Sequence, residues 1–294
     1  MSKRCLIVVN PISGRLKGRR VAARLAEGLG ERGVEAETIS TEAPGDGRQA
    51  AEQADPGEVS AILCAGGDCT VNEVVNGLAG KGIPVALFPT GTGNVLAKEF
   101  GIRAKADAVC DAVAAGQTVE LALGEVNGRR FVLFVGGGFD AAVARRFEQT
   151  RNGPVSKLSY LLPILHVLFR YPCPDIHVTV DGEPVGSSPH VLVANVRSYG
   201  GPFVMVPDAD PTADVLDICL ISGKSRPALI RRGWAAFRHR LLNHHGVRHV
   251  QGRTITLRAD GLAPFQVDGD FFGCDDLTVR MIDDRLTFIV PPTD

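Results

Sequence analysis

Four short apolar runs, at residues 5–9, 34–39, 59–65 and 83–88, recur through the first third of this chain with helix-spaced text between them. That rhythm constrains the fold more than any other feature. The first, third and fourth runs are rich in Val, Ile and Leu, the pattern of strands buried on both faces. Residues 19–32, 48–54 and 71–79 carry helical spacing, and Gly33 and Gly80 act as stop signals. Strand, helix, strand, helix predicts a parallel α/β sheet. In open sheets of this kind, ligands bind at the carboxyl ends of the strands.

Three loops fall on that edge. Asn10-Pro11-Ile12-Ser13-Gly14 follows the first run, Gly66-Gly67-Asp68-Cys69-Thr70 the third, and Pro89-Thr90-Gly91-Thr92-Gly93-Asn94 the fourth. Glycine lets backbone N–H groups approach an anion, and a helix N-terminus behind the loop adds partial positive charge. A tight strand-to-helix turn would explain any one of them; three on one edge predict a phosphate site. Asp68 would repel a phosphate unless a divalent cation intervened, so it reads as part of a magnesium–nucleotide site. Thr70, Thr92 and Asn94 are read either as phosphate donors or as helix caps.

After residue 118 the text changes. Residues 119–126, 131–135, 176–181, 190–196, 216–221, 254–258, 265–268 and 277–282 read as strands, with hairpin signals at Asn127-Gly128 and Asp181-Gly182. Helical stretches interrupt near 157–169 and 226–243. The expectation is an α/β nucleotide-binding domain over 1–120 and a mainly antiparallel second domain over 121–284. Composition narrows the classes further. A net charge of −1 argues against a generally basic nucleic-acid surface. The most apolar run, 158–169, is broken by Pro163 and His166 and falls short of the roughly 18 residues a membrane span needs. Seven cysteines with no C-x-x-C pair suit a cytoplasmic chain with reduced thiols. No Walker loop is present, since Ile218 stands where the first glycine would precede Gly223-Lys224-Ser225. Gly136-Gly137-Gly138-Phe139-Asp140-Ala141 matches a dinucleotide fingerprint only weakly, with no acid-tipped strand following.

Taken together, the three loops and the text Gly66-Gly67-Asp68-Cys69-Thr70-Val71-Asn72-Glu73 resemble the diacylglycerol kinase catalytic domain. The resemblance extends through Gly136 to Asp140, Asn195, Tyr199-Gly200-Gly201, Pro207 and Val267-Asp268-Gly269-Asp270, and so covers nearly the whole chain, as in the bacterial lipid kinases related to sphingosine and ceramide kinases. It implies a β-sandwich-like second domain, a cleft for ATP and a lipid alcohol, and a last strand over 286–290 returning to the first domain. By the same resemblance Asn10, Ser13, Gly14, Gly66, Gly67, Asp68, Thr70, Gly91, Thr92 and Asn94 bind the nucleotide with Mg2+, Asp140 organises the metal network, and Asp268 is the general base. Asp270 stands where the family often has Glu. Without the resemblance, Asp268-Gly269 reads as a hairpin turn. An NAD kinase-like enzyme and a catalytically impaired nucleotide- or lipid-binding protein are the competing readings.

Two departures from the family pattern stand out. Cys69 replaces a glycine, which would strain the loop if that position needs φ > 0. Ala213 replaces the first Asp of Asp-Gly-x-Leu-Asp, leaving Asp214 as a poor substitute ligand for a structural cation. Finally, Ile230, Trp234, Phe237 and Leu241 fall on one face of a helix over 226–241, flanked by arginines. Core packing is the readier reading of that face, and peripheral contact with an anionic membrane is the alternative. Oligomeric state is not legible.

Overall fold

The computed structural model describes residues 4–11, 13, 18–150, 157–200 and 203–292. The chain forms two compact units, Met1–Leu121 with Asp284–Asp294, and Ala122–Asp283.

In the first unit, β1 (Arg4–Val9), α1 (Gly18–Gly30), β2 (Ala36–Ser40), α2 (Asp46–Gln53), β3 (Val59–Gly66), α3 (Asp68–Leu78), β4 (Val85–Pro89), α4 (Val95–Glu99) and α5 (Ala106–Ala115) follow in order, and β5 (Thr118–Val126) leads out. The strands pair in the order β2-β1-β3-β4, all parallel. Side chains alternate between two covered faces, as period 2 requires. Ile7, Val9, Leu63 and Phe88 pack with Leu25 and Leu29 of α1 and Val109, Cys110 and Val113 of α5. On the other helix pair, Gly77 of α3 lies so close to α2 that a Cβ would strike the Arg48 carbonyl and come within 2.8 Å of the Ala51 Cβ. That position tolerates no side chain.

The second unit begins with β5, then β6 (Arg129–Phe131), β7 (Phe134–Gly137), α6 (Phe139–Thr150), α7 (Leu161–Arg170), β8 (Ile176–Val180), β9 (Glu183–Ser188) and β10 (His190–Ala194). A short ribbon of β11 (Ser198–Tyr199) and β12 (Phe203–Val204) precedes β13 (Leu216–Ile221), α8 (Arg226–Phe237), β14 (Val247–Gly252), β15 (Thr254–Ala259), β16 (Phe265–Val267), β17 (Asp270–Gly273) and β18 (Leu277–Ile289). One antiparallel sheet runs β14-β13-β10-β7-β16-β17, and β18, β15, β8 and β9 form antiparallel partners in the other. Val191, Val193, Ile218 and Phe265 from the first meet Val178, Ile255, Leu257 and Val279 from the second in one buried cluster. The architecture is thus a parallel α/β unit and an antiparallel β-sandwich-like unit.

Several expected boundaries moved, each for a physical reason. The strand read over 131–135 is broken at Val132 and Leu133, whose N–H groups go to a side chain instead of a ladder. The runs at 277–282 and 286–290 are one strand, β18, whose end pairs Phe288 with Val85 in the first unit. Helix α3 begins at Asp68, three residues earlier than its apolar periodicity. Gly136 and Gly137 lie in an antiparallel strand, which removes the dinucleotide reading.

Candidate active site

In the first unit the glycine loops touch one another. A Cβ on Gly91 would stand 2.7 Å from the Gly67 Cα, and one on Gly67 would stand 3.3 Å from the Gly91 Cα and 4.0 Å from the Ser13 Oγ. Only paired glycines allow that approach. Asn10 closes the first loop, its N–H donating to the Ala65 carbonyl at 3.0 Å while its own carbonyl accepts from the Ser13 N–H at 3.2 Å. Thr90 N–H donates to the Gly66 carbonyl at 2.9 Å. Gly14 lies outside the described residues.

Asp68 is the clasp between the second and third loops. Its carboxylate accepts from the backbone N–H groups of Val95 at 2.9 Å and Leu96 at 3.1 Å, which caps α4. Asn94, at the N-cap position with φ 48°, leaves that task to Asp68 and donates its amide to the Gly91 carbonyl at 2.7 Å. Burial raises the Asp68 pKa from its usual range, opposed by the two N–H donors and by Lys98. Asp68, placed in a loop by the sequence pattern, is thus the first residue of α3, and its carboxylate joins that helix to the start of α4. Thr70 is buried against Gly66. It packs the loop from beneath. Thr92 is partly exposed in the third loop. The Oγ1 of Thr90 and the Oδ1 of Asn94 are buried without a hydrogen-bond partner, two unsatisfied polar atoms beside the glycines.

Cys69 occupies the second position of α3 with its side chain exposed. Its φ is not positive, so the strain expected of a cysteine here does not arise.

In the second unit, Asp268 and Gly269 form the two-residue turn between β16 and β17, with φ 50° and 94°. Positive φ at both central residues is the type I′ hairpin. The Asp268 side chain is 4% exposed. Its Oδ1 accepts from the N–H groups of Leu133 at 2.9 Å and Phe134 at 3.0 Å, and its Oδ2 from Val132 at 3.0 Å. Asp268 was expected to be the general base. In the structure its carboxylate accepts three backbone N–H groups and anchors the turn. Asp270, two residues on, is exposed and lies 3.7 Å from the Arg129 guanidinium.

Asp140 sits in the first turn of α6. Its Oδ2 accepts from the Tyr199 hydroxyl at 2.8 Å and the Gln266 amide at 3.2 Å. Burial raises its pKa, with the Tyr199 bond opposing, and burial followed by Asp140 pushes Tyr199 well above its ordinary value. The Gln266 Oε1 in turn accepts from the Gly269 N–H at 2.7 Å, so one network braces the Asp268 turn. Gln266 escaped the sequence reading. Its signal was a lone amide between Phe265 and Val267 in a buried strand.

Among the described residues no three His, Cys, Asp or Glu side chains gather as a metal cluster. Asp214 is exposed, and its carbonyl accepts from Arg253 at 3.1 Å. Magnesium bound at the glycine loops would accordingly draw its ligands from nucleotide phosphates, water and one carboxylate, Asp68, a set that suits this small, hydrated ion.

Comparison with known proteins agrees with this anatomy. Residues 4–126 match the diacylglycerol kinase catalytic domain, and residues 134–290 match the YegS C-terminal NAD kinase beta sandwich-like domain. A diacylglycerol kinase of Mycobacterium tuberculosis (strain H37Rv) is 30% identical over 272 residues, covering 90% of this chain and 87% of that protein. One of Bacillus subtilis (strain 168) is 27% identical, covering 92% and 91%. The crystal structure of a diacylglycerol kinase from Bacillus anthracis str. Sterne shares the fold with a TM-score of 0.74 at 19% identity, covering 99% of this chain and 97% of that one.

Proposed function

The chain belongs to the diacylglycerol kinase family of lipid kinases, and on that premise we propose that it transfers the γ-phosphoryl group of ATP to the hydroxyl of a diacylglycerol-like or sphingoid-like lipid. The observation that carries this reading is the mutual contact of Gly67 and Gly91 at the strand ends, with Asp68 fastening both loops. The two loops present backbone N–H groups and the start of α3 to a polyphosphate. Asp68 would hold the magnesium of the nucleotide, and that ion neutralises phosphate charge as transfer proceeds. A lipid hydroxyl is a weak acid, so a carboxylate must take its proton. Asp270 is the exposed carboxylate for that role, held in place by the turn that Asp268 pins and Gln266 braces.

Contact with a membrane is part of the same proposal. Ile230 and Trp234 are each 62% exposed and Phe237 is 45% exposed, while Leu241 is buried at 1%. Three of the four residues first read as core therefore face solvent. Leu161, Leu162, Leu165 and Phe169 of α7 are exposed as well, and Arg226 of α8 lies 4.6 Å over the Phe169 ring. No Asp or Glu occurs from Gly223 to Val250. Apolar side chains among arginines suit an anionic bilayer surface, and they support peripheral attachment from the cytoplasmic side. No helix among the described residues is long and apolar enough to cross a membrane.

The decisive assay supplies labelled ATP and magnesium with diacylglycerol, sphingosine or NAD as acceptor. NAD belongs in the panel because of the family description that the second unit matches. Label in the lipid supports the proposal, whereas label in NAD alone overturns it. Sedimentation with phosphatidylglycerol vesicles at low salt tests the membrane contact. An Arg231→Glu/Arg238→Glu variant that sediments like wild type would remove it.

A further inference from the structure

Helix α8 buries Ala228, Arg232 and Ala236, four residues apart, on one stripe. A guanidinium thus occupies a place where packing calls for a small apolar residue. Arg232 is 8% exposed, and neither its Nε nor its Nη1 has a hydrogen-bond partner. Burying an uncompensated charge is costly, and proteins ordinarily pair such a group. Asp175, which acts on His190 together with Arg232, is committed to Lys224, from which it accepts at 2.8 Å.

Room for the guanidinium is built into the backbone. A Cβ on Gly223, φ 101°, would collide with the Arg232 Nη1, and one on Gly246, φ 86°, would stand 3.1 Å from its Nη2. His190 adds a second buried donor. Its Nδ1 accepts from the Phe139 N–H at 3.2 Å, which leaves the proton on Nε2, toward the Gly223 backbone. Burial holds this imidazole neutral, its pKa down to about 4, with Arg232 among the charges acting on it.

Gly246, beside the Nη2, also lines a cavity of about 250 Å³ together with Ser222. Ser187 and Arg248 line it too, Arg248 with its Nη1 donating to the Val185 carbonyl, and no Asp or Glu does. We propose that Arg232, with Ser222 and Arg248 at the cavity wall, forms a binding site for a phosphate-class oxyanion, built wholly from the second unit. A guanidinium presents paired donors that match phosphate oxygens, and the serine hydroxyls add neutral donors. An anionic lipid headgroup and a free phosphate share that chemistry. The site stands independently of the kinase reading.

The test is the unfolding midpoint of the full chain in potassium phosphate against potassium chloride at matched ionic strength. Wild type should gain roughly 5 °C in phosphate near a hundred times its Kd. Arg232→Met should raise the midpoint in chloride and abolish the phosphate gain. Arg248→Gln, at the cavity wall, should leave the chloride midpoint in place and weaken phosphate about tenfold, so the test survives if Arg232→Met fails to fold. Equal midpoints for wild type in the two salts overturn the proposal, as does a phosphate gain that Arg248→Gln and any folded Arg232→Met both retain. Phosphatidylglycerol vesicles then identify the source. Sedimentation lost in Arg248→Gln and displaced from wild type by phosphate assigns a lipid headgroup; unchanged sedimentation with a lost phosphate gain assigns free phosphate.

Discussion

Asp268→Asn separates a structural carboxylate from a catalytic one. Asparagine tolerates the φ of 50° at this position, so the backbone need not move. The amide oxygen can keep the two bonds from Leu133 and Phe134, but as neutral rather than charge-assisted bonds, a loss of roughly 1–2 kcal/mol. Its NH2 must then face the Val132 N–H, donor against donor, and a buried unsatisfied donor costs about 1–3 kcal/mol. The sum is about 3 kcal/mol, which for a unit of this size lowers the midpoint by roughly 6–12 °C. Calorimetry of the full chain reads it directly, alongside turnover of the same preparation. Turnover should fall with the fraction folded and with loosening of the turn. Asp270→Asn provides the contrast: turnover reduced roughly 10²–10⁴-fold, as for a lost general base, with the midpoint unchanged. If Asp268→Asn keeps its midpoint within about 1 °C and loses turnover on the scale expected of a base, the assignment of Asp268 to the turn is wrong.

Asp140→Asn should match or exceed wild-type stability at neutral pH. The native pKa of Asp140 is raised, so wild type loses stability as pH climbs through the carboxylate range, and the gap between the two proteins should close on acidification in a pH series of midpoints. His190 carries the opposite sign. Its native pKa is lowered from 6.5 to about 4, so the stability it contributes above 6.5 is lost as pH falls toward 4. That loss amounts to at most about 3 kcal/mol, and His190→Asn, which can still accept from Phe139, should flatten that part of the profile. Cys69→Gly should leave turnover within about twofold and lower the midpoint slightly, since glycine costs about 1 kcal/mol in a helix. A tenfold rise in turnover would instead restore the view that Cys69 obstructs phosphate. An ATP-protected reaction with a thiol reagent would place its exposed sulfur beside the nucleotide.

The α/β layout was legible because buried parallel strands announce themselves as apolar runs and glycine-bearing loops punctuate their ends. Residues 5–9 and 59–65 could hardly be anything else, and both lie in the parallel sheet as β1 and β3. Candidate loop residues were legible for the same reason, since Gly67 and Gly91 stand at strand ends in the text itself. Which partner each side chain finds was not legible, because partners lie far apart in sequence. Asp68 is satisfied 27 and 28 residues away, and Asp268 is satisfied 135 residues or so before it, by N–H groups whose strand it interrupts. The arginines of α8 read alike on a helical wheel, yet packing against Gly223 and Gly246 buried Arg232 and left Trp234 in solvent. Periodicity and turn chemistry are local, and they determined the elements. Hydrogen-bond satisfaction and burial depend on contacts between distant segments, and only the tertiary structure decided those.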